Sequence, residues 1–370
     1  MFSNKSNITD WVVVTYENLS QTVVGGVRAF KLREFLRGKN KKVTLITREK
    51  SFPDDIQIGE FPIPKLIIRG INFFFVDPAF MWVIRVYQHV RKKRDFILFT
   101  TSPPHGIHLL GCLFKFARRD DVHWIADFRD PFTDNILYKP FLSKRFVDKI
   151  YENIIYKYAD TLVFNTDTYL VDFVKKHPGL RSKAIVIRNG FDASVNGKEK
   201  KAWTKFIYSG GNYKGLAIQG IHRFLELLSN YNKGIRCDVI GEEFYDEDEK
   251  YYLLDYLGRV DQDRVLPIIS EYVYGLIFLP KANITTGRVP QKFYDYLGAG
   301  IIPVCINPSR EMKAIMKKLR IGIVIYEESD FNKIYLNFVK RKSNIDFHRD
   351  AIMEYSRTHQ FSKLLYDLGN

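Results

Sequence analysis

Apolar residues along this chain fall into short unbroken runs, rich in β-branched and aromatic side chains, with helical stretches between them. In the first half the runs are WVVVTY (11–16), KVTLIT (42–47), DFILFTT (95–101), HWIADF (123–128), TLVFNT (161–166) and AIVIRN (184–189). The second half gives KFIYSG (205–210), RCDVIG (236–241), YGLIFLP (274–280), IIPVCI (301–306) and IGIVIY (321–326). A strand that is apolar on both faces is covered on both faces. Alternation with helices therefore predicts doubly wound α/β architecture with parallel sheets. The number of strands is enough for two such sheets, and 370 residues are comfortable for two domains. The polar, aperiodic stretch NGFDASVNGKEKKAWTK (189–205) reads as the hinge between them. This divides the chain into 1–193 and 194–346, followed by a helical tail, 347–370.

In open parallel sheets, ligands bind beyond the carboxyl ends of the strands, so the residues just after each run are the informative ones. Gly25 and Gly26 follow the first run and open a helix; lacking side chains, they let a ligand approach the backbone and the helix start. The plain alternative is a tight turn, and the spacing is not the G-x-G-x-x-G of dinucleotide sites. After the 95–101 run comes SPPHGIHLLG, with His105 and His108 close to one helical turn apart. No carboxylate or thiol stands beside them, so a metal site is not expected, but His105 is a candidate to face a bound ligand. Asp127, Arg129 and Asp130 crowd the end of the 123–128 run, where three charges would be costly without partners. They fit either an internally paired cluster or a set leaving one charged group for a substrate.

In the second half, YSGGNYKG (208–215) joins a glycine loop to Lys214, which suits a phosphate. The strongest local signal is TGRVPQKFYDYLGAGIIPVCI (286–306). Gly287 and Pro290 bracket a helix start, which presents free amides and a positive dipole end, and Arg288 and Lys292 add charge there. Asp295 lies one turn further on. A capped amphipathic helix would explain the glycines but not this grouping of Arg, Lys and Asp.

Composition narrows the partners. With 57 Lys+Arg against 42 Asp+Glu, the net charge is +15, which attracts anions. No nucleic-acid reading motif accompanies the charge, so nucleic acid is not an expected partner. Cys112, Cys237 and Cys305 are scattered and odd in number, which fits a reducing compartment and no disulfide framework. The N-terminal apolar run is too short for a signal peptide. The longest apolar stretch, LIIRGINFFFVDPAFMWVIRVYQHV, is interrupted by Arg69, Asp77 and Arg85. The expected location is cytoplasmic. An anionic membrane surface is a candidate partner, because 71–94 couples apolar residues to RKKR (91–94).

Several of these stretches together resemble the GT-B glycosyltransferases, in particular the large retaining group called family 4 or group 1. VPQKFYDYLGAG resembles that family's P-x-K-x-x-E-Y-L-A-x-G element, and VFNTDTYL…IVIRNGFD its strand-and-hinge signature. YLGRV resembles its L-G-x-[VL] strand, and TSPPHGIHLLG…WIADFRDPF a subgroup with S-x-P-P and A-D-F-R-D-P. The resemblance spans nearly the whole chain. It implies two Rossmann-like domains facing across a cleft, the tail helix returning to the first domain. The second domain would bind a nucleotide-diphosphate sugar and the first a saccharide or lipid-linked acceptor, with no metal or other cofactor.

By the same resemblance, Lys214 would hold the diphosphate with Lys292 and the backbone from Arg288 through Val289 to Pro290. Asp295 would grip the ribose, and Arg259 and Val260 would line the base slot. Gly26 would lie under the diphosphate, with Gly25 and His105 on the acceptor side. Asp127, Arg129 and Asp130 would stand near the reacting carbon as the catalytic group. Two positions depart from the pattern: Gly287 replaces a sugar-contacting glutamate, and Asp295 is one methylene shorter than the ribose-binding glutamate. The expected activity is transfer to an acceptor hydroxyl in cell-surface polysaccharide or lipopolysaccharide assembly. The alternatives are an epimerase-like enzyme of the same fold and a non-catalytic nucleotide-sugar binder.

Overall fold

The structure is a computed structural model that describes residues 10–17, 24–49, 54–60, 77, 79–117, 120–136, 138–192, 200–211, 216–241, 252–326, 332, 334–336, 338 and 349–369. The chain forms two compact units, Met1–Asn189 with Phe361–Asn370, and Gly190–Gln360.

The first unit carries strands β1 (Asp10–Val14), β2 (Lys42–Thr47), β3 (Ile56–Gln57), β4 (Phe96–Ser102), β5 (Val122–Phe128), β6 (Thr161–Phe164) and β7 (Ala184–Val186) in one sheet of order β3-β2-β1-β4-β5-β6-β7. All its pairings are parallel. Its principal helices are α1 (Val24–Gly38), α2 (Ala79–Val90), α3 (Leu109–Phe116), α4 (Leu142–Tyr158) and α5 (Asp167–Lys176).

Alternation along β1 shows why such runs are apolar throughout. Val12 and Val14 join a cluster with Trp82, Phe114 and Trp124, while Trp11 and Val13 join the opposite one with Leu32, Phe361 and Leu364.

The second unit repeats the plan with β8 (Lys205–Ser209), β9 (Arg236–Ile240), β10 (Leu254–Gly258), β11 (Tyr274–Phe278), β12 (Ile302–Ile306) and β13 (Ile323–Ile325), ordered β10-β9-β8-β11-β12-β13. These pairings are parallel too. Helices α6 (Leu216–Ser229), α7 (Gln262–Ile269), α8 (Gln291–Gly298), α9 (Arg310–Leu319), α10 (Arg349–Met353) and α11 (Arg357–Asp367) follow, and the division between the units falls within α11. Phe206 and Tyr208 of β8 face one core cluster and Ile207 the other.

Eleven of the described strands fall on the runs picked out in the sequence. The other two, β3 and β10, lie at the outer edges of their sheets.

Close helix–sheet packing depends on glycine in places. A Cβ on Gly111 of α3 would land inside the ring of fully buried Trp124 on β5. Gly111→Ala is therefore expected to cost about 1–3 kcal/mol, as overpacking does, read as a lowered midpoint in urea unfolding.

Candidate functional site

Each sheet reverses its strand order once, between β1 and β4 in the first unit and between β8 and β11 in the second. Such reversals are where open α/β sheets offer a crevice.

In the second unit, β8 and β11 pair only at Tyr274↔Phe206 and Gly275↔Ile207, then part. Tyr296 of α8 fills the gap. Its hydroxyl accepts from Ser209 N at 3.3 Å and lies 3.1 Å from Leu276 O and 3.4 Å from Ile207 O. Gly275 makes room, since a Cβ there would stand 2.5 Å from the Tyr296 ring.

Beyond the gap, the strand ends form a glycine floor. Gly210 N donates to Ile240 O at 2.9 Å and Gly241 N to Gly258 O at 3.0 Å. All three glycines have positive φ, and a Cβ on Gly241 would sit 2.7 Å from Gly210 O, so the backbones meet as only glycine allows. Arg259, exposed, and Val260, half-buried, follow this floor directly.

Lys292 reaches over it. Its Nζ lies 3.6 Å from the centre of the Tyr208 ring, and a Cβ on Gly210 would stand 3.0 Å from it. Lys292 is in the first turn of α8, whose N-cap, Pro290, gives no side-chain hydrogen bond to the first amides. Val289 is buried and anchors the turn, while Arg288 is exposed beside it. An ammonium, uncapped amides and a helix dipole thus point the same way.

Burial pushes the Lys292 pKa down to about 7, partly offset by Asp295 and reinforced by Arg288. Asp295 is raised to about 6, again chiefly by burial and against the pull of Arg357. Both side chains are encircled by protein yet keep part of their surface open, as at the bottom of a depression. Gln291 Nε2 holds Asp295 Oδ1 at 2.8 Å and Gly190 O at 2.9 Å. Lys214 lies outside the described residues, so the floor is described without it.

The first unit corrects one expectation. Asp127 is not poised on a rim: it is fully buried, and Arg28 of α1 clamps it with Nε–Oδ2 at 2.9 Å and Nη2–Oδ1 at 2.7 Å. Thr101 Oγ1 donates to Oδ2 at 2.6 Å. With its oxygens so engaged, Asp127 holds structure together and cannot serve as a general base.

Arg129 lies within electrostatic reach of both Asp127 and Asp130, which favour its charge. Arg129 donates from Nε to Ser102 O at 2.9 Å and from Nη2 to Pro103 O at 2.6 Å, fastening the proline loop. Asp130 is half-buried and near enough to favour the Arg129 charge.

His105 begins the turn after β4, with its ring stacked on Phe132 at 4.2 Å. Burial, then Arg129, lowers its pKa to about 3, so it is neutral at physiological pH. His108 instead turns to Thr100, Nδ1–Oγ1 2.9 Å. Gly25 and Gly26 lie in the first turn of α1, Gly26 buried. Among the described residues, no three His, Cys, Asp or Glu side chains gather as metal ligands would.

Arg28, Tyr208, Tyr296 and Gln291 are the participants that the sequence reading did not single out for the site.

Two parallel-sheet α/β units with these strand orders are the architecture of the GT-B glycosyltransferases. Anabaena HepE, solved in complex with UDP-glucose, superposes with a TM-score of 0.64 at 10% identity, covering 97% of this chain and 98% of that one. The sucrose-phosphate synthase of Thermosynechococcus elongatus gives 0.61 at 10% identity over 98% and 95%. The lipopolysaccharide outer core galactosyltransferase WaaB gives 0.59 at 11% over 97% and 99%. No protein-family model and no curated protein sequence matches the chain. At such identities the likeness establishes the fold.

Removing Arg28 leaves a buried carboxylate without its partner. Arg28→Met is expected to lose about 3–5 kcal/mol of stability, only part of it regained in Arg28→Met/Asp127→Leu, which still leaves Ile187 O and Arg188 O without their donor. Urea unfolding of both variants checks this.

Proposed function

We propose that this protein transfers a sugar from a nucleotide-diphosphate donor to an acceptor hydroxyl, with retention, as a glycosyltransferase of the family 4 type. The observation that carries the reading is the Lys292 ammonium, set beside uncapped helix amides over the Gly210 floor at the strand reversal of the second sheet. This is a seat for a diphosphate at the place where such sheets bind ligands. The structural likeness to HepE, which was solved with UDP-glucose and with UDP, supports the same reading.

In the proposed reaction, the acceptor oxygen bonds to the anomeric carbon as the bond from that carbon to the diphosphate oxygen breaks. The hydroxyl proton passes to the departing diphosphate. Negative charge grows on the leaving group, and Lys292, Arg288 and the first amides of α8 favour that state over the ground state. Lys214 joins them on its sequence position alone. These groups neutralise the leaving group without a metal or other cofactor.

Asp295, steadied by Gln291, takes the ribose hydroxyls, and Arg259 with Val260 lines the base. The first unit takes a saccharide or lipid-linked acceptor, with Gly25, His105 and Asp130 on that side. Neutral His105 can exchange hydrogen bonds with sugar hydroxyls. Arg129, spent on Ser102 and Pro103, shapes the loop that carries His105. Cell-surface polysaccharide or lipopolysaccharide assembly is the proposed setting.

A thermal-shift panel of UDP- and GDP-sugars tests the donor site. A true donor at about 100 times its Kd stabilises by about 2.7 kcal/mol, and a flat response across the panel overturns the reading.

With the donor identified, Lys292→Ala is expected to lower turnover by about 10²–10³. Donor affinity should also depend on pH. The diphosphate needs the ammonium, whose pKa is near 7 in the free protein. Affinity is therefore fullest below that value and falls by up to about tenfold per pH unit above it. Lys292→Arg, always charged, should flatten the profile measured by calorimetry.

A further inference from the structure

Helix α4, LSKRFVDKIYENIIYKY, buries one face and leaves an unusual one in solvent. Its inner face holds Asp148, Tyr151, Glu152, Ile155 and Tyr156, all buried. On the outer face Leu142 is 86% exposed, Phe146 69% and Ile150 47%, and the preceding Phe141 is 72% exposed. Leu142, Phe146 and Ile150 recur every fourth residue, so they line one stripe of the helix. Such large side chains standing proud of a surface lose hydration free energy with nothing gained, unless another phase receives them.

The rim of this stripe is basic. Lys139 and Arg145 are exposed beside it, and Lys144 and Lys149 are half-buried. The acidic groups facing these lysines are inward ones: Asp148 for Lys144 at 3.3 Å, and Glu152 for Lys149 at 2.7 Å. A depression of about 320 Å³ opens at the foot of the stripe, lined by Thr133, Asp134, Leu142, Arg145, Phe146 and Lys149. Asp134 is drawn off by Lys176 at 2.7 Å. Lys149 and the Thr133 hydroxyl are both held by Glu152, which leaves Arg145 as the cation that borders this space beside Leu142 and Phe146.

We infer that this face of the first unit docks on an anionic lipid bilayer, with Phe141, Leu142, Phe146 and Ile150 entering the acyl boundary and Arg145 receiving a phosphate-bearing headgroup. Protruding apolar side chains above a cationic ring match that interface, in which an apolar layer lies beneath an anionic one. A second copy of this chain is a poorer occupant, because it would set one basic rim against another. The inference does not depend on the reaction proposed above.

The test is co-sedimentation of the full chain with vesicles of phosphatidylcholine, with and without added phosphatidylglycerol. The expected result is binding that needs phosphatidylglycerol and weakens with salt. It should fall by at least about tenfold in Phe141→Ser/Leu142→Ser/Phe146→Ser. Arg145→Glu, which keeps the apolar stripe, should lower it as well. These side chains lie outside the core, and an unchanged melting temperature in both variants shows that the fold survives. Absence of vesicle binding, or binding unaffected by the triple substitution, overturns the inference. So does a wild-type dimer that the triple substitution converts to monomer without changing vesicle binding.

Discussion

Where parallel strands end or part, their backbone N–H and C=O groups lose the ladder that satisfied them, and a buried polar group left unpaired is expensive. The structure answers this constraint with side chains at the carboxyl edge of each sheet. In the second unit the Tyr296 hydroxyl serves Ser209 N, Ile207 O and Leu276 O where β8 and β11 diverge. In the first, Arg28 donates to Ile187 O at 2.9 Å and Arg188 O at 3.0 Å just past β7, while gripping Asp127 with its remaining donors. Arg129 does the same for Ser102 and Pro103. The charges of ADFRD thus finish the edge of a sheet. A rigid edge is a precondition for holding ligand-binding loops in place.

The sheets were legible because covered strands must be apolar on both faces, and the runs 11–16 through 321–326 satisfy that. The two strands outside the apolar runs fail the same test, and only the YLGRV resemblance marks β10 as a strand. The two-residue β3 is too short to show a pattern, and β10 exposes Asp255, Leu257 and Gly258 at the edge of its sheet. The helix start after Pro290 was also legible, since it is specified by neighbouring residues. The partnership of Asp127 was not legible. Its carboxylate meets a guanidinium 99 residues earlier in the chain, and sequence proximity suggested Arg129 instead. Charges announce themselves in a sequence, but their partners are decided by topology.

Lys292 illustrates how electrostatics can be kept ready without being spent. An ammonium resting on the Tyr208 ring and flanked by Asp295 is held by weak, polarisable contacts rather than by a close carboxylate. Its proton is loosely bound in the free protein, and an incoming anion would tighten it. A preformed tight salt bridge would have to be broken before the same lysine could bind phosphate.

Helices α2 and α4 of the first unit show that hydrophobicity alone does not decide which apolar side chains are buried. Helix α2 belongs to the stretch that looked most membrane-like in sequence, yet it turns Ala79, Trp82, Val83, Val86 and Val90 into the core. Helix α4 is dotted with lysine and acid and looks soluble, yet its acids turn inward to Tyr138, Thr133 and Tyr156. That inversion pushes Leu142, Phe146 and Ile150 outward. Burying Asp148 and Glu152 requires the hydrogen bonds that they receive, and with its acids occupied inside, the helix shows solvent its apolar and basic residues beside Ser143 and Asn153.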